Sequence, residues 1–232
     1  MKTYLALDVG GSSIKYALIQ KDSTILEKSS VPTPMDTMDH FVETIGTIYD
    51  QYKDRIEGMA ISMPGIINPE IGYAFTGGAL RYIDKMNIVD ILKERCPINI
   101  TIGNDAKCAA NAEIGYGNLQ DIQDGAVVIL GTGIGGCLIK DHKVHTGRHF
   151  SAGEFSFVKT NCLDGIGWDY AWSTRNGIKG LLERVQESLG TNQEYTGIGI
   201  FDMANESNEK VIAGISQFCK EVATQIFNVH II

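Results

Sequence analysis

Short apolar runs and amphipathic segments follow one another along the chain. Runs suited to strands fall at 3–8, 14–20, 57–63, 98–103, 126–130 and 137–140. Leu5, Ala6 and Leu7 read as one buried strand and Ile14 to Ile19 as another, while Ile98, Ile100 and Ile102 alternate with polar neighbours. Helical spacing is clearest in "MDHFVETIGTIYDQYKD". There Phe41, Val42, Ile45, Ile48 and Tyr49 share a face, and Asp36 or Thr37 can cap the start. A second helix, "AKCAANAEIG", follows the strand that ends at Gly103, and a third carries Leu181, Leu182, Val185 and Leu189 and is closed by Gly190. The last carries Val211, Ile215, Phe218, Val222 and Ile226. Strands mixed with helices predict an α/β class.

The first two strands are separated by an acid and a polar glycine turn, "LALDVGGSSIKYALI". Gly10 and Gly11 allow backbone conformations in which successive N–H groups converge on an anion, and Ser12, Ser13 and Lys15 add donors that suit phosphate. Asp8 repels phosphate unless a cation lies between them, so the combination suggests a magnesium-bound nucleotide; an ordinary hairpin with a glycine turn is the alternative. "AVVILGTGIGGCLIK" repeats the pattern of strand, glycine turn and strand. Gly131, Gly133 and Gly136 match the dinucleotide fingerprint in spelling, but that fingerprint needs a helix next, and Cys137 to Lys140 reads as a strand. A phosphate-gripping hairpin with Thr132 among the donors is the better reading, and NAD chemistry becomes a distant third. The repeat suggests two lobes of related design facing one cleft, residues 1–117 and 118–232, with a crossing near Tyr116 to Asp124.

Three further stretches carry candidate chemistry. In "INITIGNDAKCAANAE" the strand delivers Asn104 and Asp105 to its carboxyl end, where ligands lie in α/β sheets. Asp105 reads either as a helix N-cap or as a general base, held ionised by the helix dipole. Glu154 in "HFSAGEFSF" is either an acceptor for two sugar hydroxyls or a solvated loop acid. Pro64, Gly65, Gly77 and Gly78 mark turns whose backbone could line a pocket.

Composition narrows the function classes. The 232 residues are 44% hydrophobic and 21% charged, ordinary values for a soluble globular chain able to bury a sizeable core. A net charge of −8 argues against a nucleic-acid partner. The five cysteines are scattered and form no CxxC pair, which predicts reduced thiols in a cytoplasmic protein. The apolar run before Asp8 is too short for a signal peptide, and no stretch reaches the ~20 apolar residues of a membrane span.

The order of these motifs resembles the ROK family of sugar kinases and repressors, within the actin and sugar-kinase superfamily. The resemblance runs from residue 4 to about 157 and more faintly to the last helix. It implies a two-lobed, actin-like (ribonuclease H-like) ATPase fold whose lobes close over ATP and sugar, here with the second lobe incomplete. It implies that Asp8 organises magnesium through water, that Gly10, Gly11 and Ser12 with Gly131, Thr132 and Gly133 hold the ATP phosphates, that Asn104 and Glu154 bind sugar hydroxyls, and that Asp105 is the catalytic base. Two departures stand out. Many relatives carry a histidine and a cysteine cluster for zinc; here the histidine position is Phe157 and "KTNCLDGIGWDYAW" has only Cys162, so no zinc is expected. The chain also closes on the apolar "NVHII", which reads as a chain cut short before a strand near the adenosine rather than as an end covered by a partner. The expected function is phosphoryl transfer from ATP to a hexose or hexoside hydroxyl, the 6-hydroxyl foremost, with Asp105 as base; a homodimer is the oligomer that relatives suggest. The alternative is a non-catalytic sugar-binding or regulatory member. Regulatory relatives carry a helix-turn-helix before the first hairpin, for which residues 1–3 leave no room.

Overall fold

The computed structural model describes residues 2–161 and 167–231, and the chain divides into two compact units, residues 1–109 and 110–232. In the first unit, strands β1 (Thr3–Val9), β2 (Ser13–Gln20) and β3 (Ile25–Pro32) run as an antiparallel meander. Helix α1 (Met38–Tyr52) returns the chain to β4 (Met59–Met63), which lies parallel to β1. A small antiparallel sheet of β5 (Ile67–Asn68), β6 (Tyr73–Thr76) and β7 (Asp84–Asn87) follows, then helix α2 (Ile88–Arg95) and β8 (Ile100–Asn104), parallel to β4. The main sheet therefore has the order β3-β2-β1-β4-β8.

One face of this sheet is the core of the unit. Leu5, Leu7, Val9, Ile14, Tyr16, Leu18, Ile61, Met63 and Ile102 are buried there with Phe41, Ile45 and Ile48 of α1 and Leu92 of α2. Each buried aliphatic side chain contributes about 1.5–3 kcal/mol, enough to override weak local propensities. The opposite face carries small and polar residues, among them Asp8 and Ser62. Thr37, one of the two candidates, is the α1 cap: its hydroxyl accepts from the His40 N–H at 3.2 Å.

Helix α3 (Asp105–Tyr116) crosses the boundary between the units. In the second unit, β9 (Gly125–Leu130), β10 (Ile134–Lys140) and β11 (Lys143–His145) form an antiparallel sheet, followed by 3-10 turns at 155–157 and 168–170. Helices α4 (Trp172–Asn176), α5 (Ile178–Leu189), α6 (Gly197–Asn205) and α7 (Glu209–His230) complete it. Ile134, Phe155, Trp172 and Val222 form one core; Leu181, Val185, Ile200 and Val211 form another. Gly190 ends α5 in the left-handed conformation, φ 70°, as the sequence predicts.

Several expectations need adjusting. The strand expected at 137–140 begins at Ile134, because Gly135 and Gly136 continue the ladder opposite Ile129 and Val128. A Cβ at 136 would lie 2.3 Å from the Phe155 ring, so glycine is what lets that ring pack on the strand. Ile226, expected on the apolar face of the last helix, is 45% exposed.

Candidate functional site

Strand register assembles the first part of the site. In the parallel portion of the main sheet Asp8 lies beside Ser62, Ser62 beside Gly103, and Met63 beside Asn104. Asp8, Ser62 and Asn104 thus gather near the carboxyl edge of three adjacent parallel strands, the usual ligand edge of such sheets. The Ser62 hydroxyl donates to Asp8 Oδ1 at 3.2 Å. Lys15, directly opposite Asp8 on β2, holds its Nζ at 4.0 Å from Oδ2.

The turn that follows Asp8 is tightly built. Gly10 N–H donates to the Ser13 carbonyl at 3.0 Å, and Thr33 secures the loop by donating its N–H to Ser12 O and its hydroxyl to Gly10 O. The N–H groups of Gly11 and Ser12 have no acceptor among the described residues, which leaves them available to an anion.

Asn104 and Asp105 take different positions from those expected. Asn104, not Asp105, is the cap of α3: its Oδ1 accepts from the Lys107 N–H at 3.0 Å, while its Nδ2 donates to the Gly65 carbonyl at 3.0 Å. Asn104 is 4% exposed, and the two bonds tie the 64–65 turn to the start of the helix. Asp105 is the first helical residue, and its Oδ1 accepts from the Ala106 N–H at 2.8 Å. Solvent reaches this side chain from one side, but protein crowds it on the others, and that desolvation pushes its pKa up; the Asp8 charge adds to the rise, and the Ala106 N–H offsets only part of it.

Gly65 and Gly78 belong to turns that touch. Gly65 has φ +115°, and a Cβ there would lie 1.9 Å from the Thr76 carbonyl oxygen; a Cβ at Gly78, φ +59°, would lie 3.1 Å from Pro64 Cβ. Only glycine permits the 64–65 turn to press on the end of β6. Gly11 lies close by, its Cβ direction meeting Ala79 Cβ at 3.8 Å.

In the second unit the other glycine turn sits on the junction of α4 and α5. Gly131 N–H donates to Gly133 O at 2.9 Å and Gly131 O accepts from Ile178 N–H at 3.0 Å, while Ser173 Oγ accepts from Ile134 N–H at 3.1 Å. The N–H groups of Thr132 and Gly133 have no acceptor among the described residues. Glu154 follows Gly153, whose φ of +72° and missing Cβ let the loop lie on the backbone of Cys137 and Leu138, 2.5 Å from where that Cβ would be. Phe157 stacks on Trp168, centroids 5.2 Å apart.

Asp8 is a hard, exposed oxygen donor beside a hydroxyl, and its neighbour Asp105 is a second carboxylate. That donor set suits magnesium, which binds through one or two carboxylates, water and substrate phosphates. Among the described residues no group of three or more His, Cys, Asp or Glu could hold a metal ion, and Cys162 lies outside them. No described helix is long and apolar enough to cross a membrane. The sequence reading missed Ser62 and Cys108. Cys108 hydrogen-bonds Ser62 and feels the charges of Asp105 and Asp8.

Comparison with known proteins identifies the family. A model of the ROK family matches residues 4–232. The chain is 28% identical to a β-glucoside kinase of Klebsiella pneumoniae over 97% of its own length and 77% of that protein. It is 31% identical to a β-glucoside kinase of Listeria monocytogenes over 66% of this chain and 52% of the other, so it spans about half of that relative. Among solved structures, a ROK family protein of Streptococcus pneumoniae in complex with sucrose superposes with TM-score 0.81 at 27% identity, covering 99% of this chain and 76% of that one. The fold is the actin-like ATPase fold of these neighbours.

Proposed function

Because this chain belongs to the ROK family, we propose that it is an ATP-dependent sugar kinase, transferring the γ-phosphoryl group to a hydroxyl of a hexose or hexoside, the 6-hydroxyl foremost. The observation that carries this reading is Asp105: a carboxylate on the first turn of a helix, at the carboxyl edge of parallel strands, with its pKa raised by crowding and by Asp8. A general base works best when its pKa approaches the working pH, and a raised carboxylate is nearer to that point than an ordinary one.

In the first unit Asp105 accepts the proton of the attacking hydroxyl. Asn104 keeps one amide hydrogen and one lone pair beyond its two structural bonds, and with the Gly65 and Gly78 turns it orients sugar hydroxyls. The Gly11 and Ser12 amides and Lys15 receive phosphate oxygens, the Gly10 N–H being spent on the Ser13 carbonyl, and Asp8 would hold magnesium through water. Magnesium, when bound, supplies positive charge against the phosphates. In the second unit the Thr132 and Gly133 amides bind phosphate and Glu154 accepts from sugar hydroxyls. Cys96, Cys108 and Cys219 are free thiols, in keeping with a cytoplasmic setting.

The test is a coupled ADP-release assay over glucose, N-acetylated hexosamines and β-glucosides. Sugar-dependent release that Asp105→Asn abolishes supports the reading; binding of sugar without release from the wild type favours a sugar-binding protein instead.

A further inference from the structure

We propose that Ser62 is a positioning residue for Asp8: it draws that carboxylate away from Lys15 and holds it where a divalent cation can be collected. The inference rests on the reading of Asp8 as the magnesium anchor. Asp8 lies between two competing neighbours. Lys15 is its cross-strand partner on β2, with Nζ 4.0 Å from Oδ2, and Ser62 is its parallel neighbour on β4, donating to Oδ1 at 3.2 Å. A lysine that closed on the carboxylate would neutralise the charge that attracts a metal. The serine fixes the same group with one hydrogen bond and leaves its charge intact.

Ser62 is itself held in place. Cys108 on α3 hydrogen-bonds the Ser62 hydroxyl, and Gly103 makes room for the thiol, since a Cβ at 103 would lie 2.7 Å from the sulfur. Gly103, Cys108, Ser62 and Asp8 form a chain of contacts that ends on the carboxylate.

The experiment compares the wild type with Ser62→Ala and Ser62→Thr. Mn²⁺ binding to the protein–ADP complex is read by electron paramagnetic resonance, alongside Tm, sugar KM and the Mg²⁺ concentration for half-maximal turnover. Ser62→Ala is expected to weaken Mn²⁺ binding about tenfold and to raise the Mg²⁺ requirement in parallel, with Tm and sugar KM unchanged. Ser62→Thr, which keeps the hydroxyl, restores the wild-type values. Mn²⁺ affinity unchanged in Ser62→Ala, or a loss that threonine does not rescue, overturns the inference and leaves the kinase reading standing. If the wild type binds no Mn²⁺ with ADP, the magnesium role of Asp8 fails and the inference falls with it.

Discussion

Asn104→Ala separates what Asn104 does for the fold from what it does for a sugar. The substitution removes two bonds at once: the Oδ1 that caps α3 by accepting from Lys107 N–H, and the Nδ2 that donates to the Gly65 carbonyl. Loss of a cap costs about 1 kcal/mol. The orphaned Gly65 carbonyl adds about 1–2 kcal/mol, the lower part of the usual range because Gly65 is only half-buried. The sum, about 2–3 kcal/mol, corresponds to a fall in Tm of roughly 4–12 °C for a chain of this size. Asn104→Ser keeps a capping oxygen but is too short to reach Gly65, so it should recover about 1 kcal/mol of the loss. Urea unfolding followed by circular dichroism gives both values. Equal losses in the alanine and serine variants would refute the cap, and a loss below about 0.5 kcal/mol in the alanine variant would refute the whole assignment.

The raised pKa of Asp105 sets the sign of two pH effects. Under the proposed role as general base Asp105 works in its ionised form, so kcat/KM should be full above the raised pKa and fall as pH drops through it, with a midpoint above the ordinary ~3.9. Stability runs the other way: the folded state binds this proton more tightly than the unfolded chain, so this group's contribution grows as pH falls through the raised folded pKa. A midpoint of the acid limb at or below the ordinary value would contradict both. Gly153→Ala forces a side chain into φ +72° and against the backbone of Cys137 and Leu138, so it should destabilise the second unit by about 3 kcal/mol and weaken sugar binding through Glu154; wild-type Tm and sugar affinity would show that the loop gives way freely.

Elements with a strong one-sided pattern were readable before the structure. Leu5, Leu7 and Val9 fall on one face of β1, and Phe41, Ile45 and Ile48 on one face of α1, because burial demands period two in one and about 3.6 in the other. Strand β3 escaped notice because it is exposed over most of its length and shows no apolar alternation. Helix α6 escaped because "GIGIFDMAN" contains two glycines, poor helix formers held in place by the packing of Ile200. Strands β5, β6 and β7 run two to four residues each, too short for periodicity. In the site, Asp8 and the glycine turns announce themselves by residue type. The choice between Asn104 and Asp105 as cap does not, since both are good caps and only the end of β8 decides which one faces the Lys107 amide. Ser62 was invisible for a different reason: its meaning comes from register with Asp8, 54 residues away, and register between parallel strands is a tertiary fact.

The proposed removal of a sugar hydroxyl proton by Asp105 during phosphoryl transfer is tested by comparing Asp105→Asn with the wild type on the sugar the assay panel selects. Sugar-dependent ADP release and calorimetric sugar affinity are measured on both proteins. Turnover is expected to fall by ~10²–10⁴ while sugar affinity stays within a few-fold and Tm does not fall, because asparagine keeps the shape and removes a crowded charge. A variant that keeps its specific activity, whatever happens to its stability, would contradict the proposal.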